Sequence, residues 1–141
     1  MFTVLLPIDE NEELSHRAAE FVTDIPSTTD ELSVVILNVF EEFNAADGMG
    51  KVDSTDLFDE DDLPETVEVL VEFLQEHGID TVGRFEHGTP ADVIVNVADE
   101  IDANTIVMGG RRRSPVGKAI FGSVSQQVLL SADRPVTVLV K

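Results

Sequence analysis

Residues able to do chemistry are few in this chain, and they gather in one place. The stretch "GGRRRSPVGKAIFGS", residues 109–123, holds four of the nine Lys and Arg residues and four of the nine glycines, in a chain of formal net charge −19. Glycine lets backbone N–H groups approach an anion closely, and the arginine fork suits a phosphate. Gly122-Ser123 stands directly before a segment of helical spacing. The N–H groups there, up to Val124, would sit at the positive end of a helix dipole. The Ser123 hydroxyl then has two uses: capping that helix or binding a phosphate oxygen. Asp9, just after the first apolar run, also has two: capping the first helix, or accepting from an amino group or a sugar hydroxyl. Ile8, Val39 and Met108 are core residues individually, but together they can make an apolar slot for a flat ring. Arg111, Arg112 and Arg113 are either phosphate partners or a patch paired with acidic groups. Ring slot, polar reader and phosphate loop together make a nucleotide-shaped set.

Other chemistries fail on their spacing. A Walker A loop ending at Gly117-Lys118 would need Gly at 112 and Ser or Thr at 119, where Arg112 and Ala119 stand. No G-x-G-x-x-G follows the first strand, and there is no H-E-x-x-H or G-x-S-x-G. The absence of cysteine removes disulfides, thiolate metal sites and a cysteine nucleophile. His16 is expected on a helix, His77 near a helix end and His87 in a loop on the ligand side. All three read as solvated, and no general base is placed for catalysis.

The elements that must position these groups follow from periodicity. "TVLLP" reads as a buried strand closed by Pro7. Leu14, Ala18, Phe21, Val22 and Ile25 form one helical face, ended by Pro26. "SVVILNVF" reads as a central strand. Glu41 to Pro64 is aperiodic and acidic, so it reads as a long loop, flexible over 44–62. Val67, Leu70, Val71 and Leu74 make the next helical stripe, with Gly78 as its C′ residue. "IDTVGRF" is a weaker strand near an edge, because Gly83 interrupts it. Thr89, Pro90 and Asp92 open a helix whose buried face is Ala91, Ile94, Ala98 and Ile101. "TIVM" is a buried strand ending at Gly109, a short helix runs from Ser123 to about Leu130, and "RPVTVLVK" is the last strand.

Such β-α alternation predicts a single α/β domain over residues 1–141: a doubly wound, five-stranded parallel sheet with helices on both faces. Ligands then sit at the carboxyl ends of the strands, near the switch point. Pro7-Ile8-Asp9, Val39-Phe40 and Met108 with the loop after it meet there if the first, second and fourth strands are neighbours.

Composition bounds the surroundings. Asp and Glu number 28 against nine Lys and Arg. That balance argues against nucleic acid or anionic lipid as a partner for the general surface. It fits a halophilic protein, since the Debye length is about 3 Å at 1 M salt. The expected corollary is a fold that loosens in dilute buffer, read as a melting midpoint that rises with KCl. No apolar run is long enough for a membrane span and the start lacks a signal-peptide pattern, so a cytoplasmic protein with no membrane partner is expected.

At this point the residues resemble the universal stress protein family. "LLPIDENEELSHRAAEFV", "VVILNVF", "GTPADVIVNVADEIDANTIVMGG" and "FGSVSQQVLLSADRPVTVLVK" look like successive blocks of that family. The resemblance implies an adenine nucleotide alpha-hydrolase-like fold, and a homodimer paired through the C-terminal strand, for which "VTVLV" is a suitable edge. It also implies a phosphate loop G-x-x-G-x9-G-[ST]. Gly109, Gly122 and Ser123 match it, with the overall spacing kept, while Arg112 replaces the second glycine. Asp9 and Val39 match the residues that hold ribose and base. The implied function is a stress-response protein that binds ATP or a related adenine nucleotide, with Mg²⁺ as its cation, and acts as a switch rather than an enzyme. The alternative is a dimeric interaction module that binds no nucleotide, with Arg112 filling the phosphate site.

Overall fold

Runs of branched apolar residues without polar alternation become strands covered on both faces. β1 (Phe2–Ile8) and β2 (Leu32–Phe40) are such runs, pairing in parallel with Val4 beside Val34 and Leu6 beside Ile36. The computed structural model describes residues 1–25, 31–41, 63–110, 112–113 and 120–140. Its further elements are α1 (Glu12–Thr23), α2 (Glu65–Glu76), β3 (Asp80–His87), α3 (Pro90–Glu100), β4 (Thr105–Gly110), β5 (Arg112–Arg113), β6 (Ile120–Phe121), α4 (Ser123–Ser131) and β7 (Val136–Val140). The loop expected over 44–62 lies outside the described residues.

Five strands form one parallel sheet in the order β3-β2-β1-β4-β7. The chain starts in the middle, winds outward through β2 and β3, and returns to the other side for β4 and β7. The strand order therefore reverses at β1, and β1, β2 and β4 are neighbours, which meets the condition for their carboxyl ends to share one crevice. Helices cover both faces. Val4, Leu6, Val34 and Ile36 pack under α1 and α2 with Ala18, Val22, Val67 and Leu74. Leu5, Leu37, Ile106 and Met108 pack under α3 and α4 with Ile94, Ala98 and Val128. Each fully buried Leu or Ile contributes about 1.5–3 kcal/mol, so these two layers hold the sheet together.

Local chemistry sets the ends of the elements. Asn11 caps α1: its Oδ1 accepts from the Leu14 N–H at 3.0 Å. That contact is worth about 1 kcal/mol. Gly78 has φ +78 just past the α2 cap, the left-handed conformation its sequence position implied. Gly83 lies on the edge strand β3, but a second reason emerges for it. A Cβ there would stand 2.6 Å from Leu63 and 2.7 Å from Val67, so α2 approaches the sheet where a side chain is missing. Two expectations are corrected. Thr89 is the α3 cap residue but makes no side-chain cap bond, and His87 ends β3 rather than lying in a loop. Arg84 on β3 reaches Glu86 and Glu100. Burial alone would lower its pKa, but the hydrogen bonds and charges of those carboxylates outweigh this and raise it. It stays cationic throughout the physiological range.

Candidate functional site

Parallel strands with right-handed crossovers put helix N-termini at the carboxyl end of the sheet. A cleft of about 850 Å³ opens there, over the ends of β1, β2 and β4 and against the first turns of α1, α3 and α4. Nine of the residues singled out from sequence line it: Pro7, Ile8, Asp9, Val39, Met108, Gly109, Gly122, Ser123 and Val124. Arg111 and the side chain of Arg112 lie outside the described residues. The Arg112 backbone is described: it pairs with Phe121 in the two-residue ladder of β5 with β6, so it lies beside the residue preceding Gly122. Sequence periodicity had no means of finding that short antiparallel ladder.

Strand alternation divides the cleft into two walls. Val39 and Met108 belong to the α3/α4 face, where Ile94 packs with them and Pro90 completes the lining. Ile8 belongs to the other core, under α1 and α2. The expected slot of Ile8, Val39 and Met108 is therefore corrected: Ile8 lines the cleft from the opposite face. Neighbours along a strand point to opposite sides, so Pro7 rather than Ile8 shares the side of Val39.

Asp9 takes neither a helix-cap role nor a free one. Its Oδ1 accepts from the backbone N–H of Asn11 at 2.8 Å, which shapes the turn into α1, while Asn11 does the capping. Asp9 also lines the cleft. Ser123 is likewise not a cap. Gly122 is the cap residue of α4, no side-chain cap bond forms, and Ser123 is the first helical residue, exposed at the cleft. The first turn of α4 contains no acidic residue, so its N–H groups keep their positive potential.

The two glycines of the phosphate-loop spacing differ in physical origin. A Cβ on Gly109 would stand 2.4 Å from Leu14 Cγ, so α1 itself requires a glycine at the end of β4. Among the described residues, a Cβ on Gly122 would meet nothing within 4 Å. Packing among the described residues gives no reason for a glycine at 122. The two ends are tied together by Ser125, whose buried Oγ donates to the Gly109 carbonyl at 3.4 Å.

Sequence reasoning missed Asn38, Glu41, Thr66, Pro90, Ile94 and Ser125 as cleft residues. Ser125 carried a signal, as a polar residue one turn before Val128 on the buried stripe. Four carboxylates line the cleft, those of Asp9, Glu10, Glu12 and Glu41, and no Lys, Arg or His does among the described residues. His16 and His77 flank Phe73, with ring centroids at 4.9 and 4.6 Å, and His87 packs against Phe85.

Comparison with known proteins agrees with this architecture. The model of the universal stress protein family matches residues 1–141. The universal stress protein Sll1654 of Synechocystis is 31% identical over 145 residues, covering 97% of this chain and 84% of that protein. A universal stress protein of Mycolicibacterium smegmatis is 39% identical over 64 residues, 45% of this chain and about half (49%) of that protein. Among solved structures, a universal stress protein from Archaeoglobus fulgidus superposes with a TM-score of 0.75 at 26% identity, over 98% of each chain. A universal stress protein from the same organism, solved in complex with dAMP, superposes at 0.70 with 21% identity, over 98% of this chain and 97% of that one. The sheet and its helices have the adenine nucleotide alpha-hydrolase-like fold of these neighbours. The chain belongs to the universal stress protein family.

Proposed function

We propose that the protein binds an adenine nucleotide in this cleft and acts as a ligand-controlled switch in a stress response. The observation that carries the reading is Gly122. It caps an α-helix without a side-chain bond, lines the cleft, and has open space among the described residues where a Cβ would be. A glycine that packing among the described residues does not demand fits close approach of a ligand to the backbone. Phosphates would take the N–H groups of Ser123 and Val124, the Ser123 hydroxyl and the space beside Gly109. The base would enter between Val39, Met108 and Ile94, and Asp9 would accept from a ribose hydroxyl. Arg111 and Arg112 would add positive charge, and Mg²⁺ would accompany a di- or triphosphate. The dAMP complex of the Archaeoglobus fulgidus neighbour supports the nucleotide class.

Gly122→Ala is the test. In molar KCl, calorimetric titration of the wild type with AMP and with Mg-ATP should give saturable binding. Gly122→Ala should weaken it by about tenfold, because the added methyl holds the ligand off the backbone N–H groups, with at most the small loss of stability that Ala carries at a helix cap. No saturable binding of either nucleotide to the wild type would overturn the reading. The switch is proposed to work in the cytoplasm as a homodimer of the 15.4 kDa chain, joined along β7, an edge strand of half-buried apolar residues. Light scattering checks the dimer, and a molar mass of one chain at assay concentrations would count against it.

A further inference from the structure

A surface helix of so acidic a protein is expected to show carboxylates to solvent, and three of the four described helices do. α1 carries Glu12, Glu13 and Glu20, α2 carries Glu65, Glu68, Glu72 and Glu76, and α3 carries Asp92, Asp99 and Glu100. α4 differs. Its sequence, "SVSQQVLLS" over Ser123–Ser131, contains no charged residue at all.

The leucines of α4 are also turned outward. Val124, Val128 and Ala132 pack inward with Val136 and Val138. At 3.6 residues per turn, Leu130 lies about 200° around the helix from Val128, on the side away from the sheet. Leu130 is 80% exposed and its neighbour Leu129 is 41% exposed, whereas the leucines of α1 and α2 are buried. A single exposed leucine is ordinary on a protein surface. Two adjacent ones, on the one described helix without charge, make a patch that asks for cover. Gln126 and Gln127 are exposed beside them.

Charge selects the occupant. A basic partner is drawn to the carboxylates of the other helices, and an anionic one is repelled by the whole molecule. A second copy of this chain, itself at −19, approaches at least electrostatic cost where neither surface is charged. A two-fold contact sets the patch against itself. Leucine against leucine needs no charge pairing, and a glutamine amide is donor and acceptor at once, so this patch is self-complementary.

We infer that the outer face of α4 is a contact between two copies of this chain, with Leu130 at its centre. It is a different surface from the β7 edge, which would pair in the plane of the sheet. The inference therefore rests neither on the nucleotide reading nor on that strand pairing.

The experiment is light scattering of the nucleotide-free chain in molar KCl over a concentration series. Leu130→Glu and Leu130→Lys should each raise the dissociation constant at least about tenfold, since a two-fold contact loses the leucine twice. Dissociation then reads as a molar mass half that of the wild type. Lys lowers the net negative charge, so a loss shared by both variants does not come from general repulsion. Val69→Glu is the control, at a valine 54% exposed among the glutamates of α2, and should leave the mass unchanged. A fall from four chains to two supports the α4 contact and leaves the β7 pair standing. A fall from two chains to one supports the α4 contact and counts against the β7 pair. An unchanged mass for Leu130→Lys, an equal loss for Val69→Glu, or a wild type of one chain throughout would overturn the inference.

Discussion

Gly109→Ala should destabilise the protein by about 1–3 kcal/mol, the cost of overpacking a close-packed core. The Cβ it adds would stand 2.4 Å from Leu14 Cγ and 2.7 Å from Leu14 Cδ2. Leu14 cannot swing away, since it is 2% exposed in the first turn of α1. The strain passes to the α1–β4 contact, because Cγ lies close to the backbone rather than at a flexible tip. Denaturant unfolding in molar KCl measures the loss, and a second variant identifies its cause. Leu14→Ala opens room for the new methyl, so the double variant should lose less than the two single losses combined. Additive losses would show that Leu14 is not the obstacle. The contrast with Gly122→Ala is the useful result: one glycine is held by packing, and the other is expected to matter to the ligand proposed for the cleft.

Arg134→Ala should cost a similar 1–3 kcal/mol, and at the opposite end of the molecule. Arg134 precedes β7 and its side chain is 14% exposed. Its guanidinium donates to the carbonyl of Ala103 and to Asp99 Oδ1 at 2.7 Å, with Asp102 Oδ1 at 4.0 Å. These partners lie at the end of α3, where a cation also meets the negative pole of the helix. Truncation leaves the buried Ala103 carbonyl without this donor. Two facts restrain the magnitude. Asp99 is half exposed, so its ion pair is screened, and Arg134 Nε is itself buried without a partner among the described residues. Arg134→Lys keeps the charge but loses the fork, so it should fall between the wild type and Arg134→Ala. Nucleotide affinity should be unchanged in both, because the clamp is at the amino ends of β4 and β7. A loss below about 0.5 kcal/mol, the range of ordinary surface substitutions, would show the clamp to be ornamental.

Legibility in the sequence followed the range of the physics involved. Helix stripes such as Val67-Leu70-Leu74, and the branched runs of β1 and β2, are local periodicities, so the elements and their order could be read directly. Gly78 could be read as a C′ residue because its left-handed backbone depends on the helix it ends. The candidate site was legible as residue types at strand ends: Asp9, Val39, Gly109 and Gly122-Ser123 all reach one cleft.

Three things depended on the tertiary structure. Which side of the sheet a strand-end residue faces follows from register and helix placement, and this moved Ile8 away from Val39 and Met108. Which polar group caps a helix is settled by competition between neighbours, and Asn11 and Gly122 took the roles open to Asp9 and Ser123. What a glycine is for depends on the space around it, where Leu14 fills the site beside Gly109 and no described residue fills the one beside Gly122. Periodicity along a chain determines which elements form. Contacts between residues distant in sequence, such as Leu14 with Gly109 and Arg134 with Ala103, decide what each residue in them does.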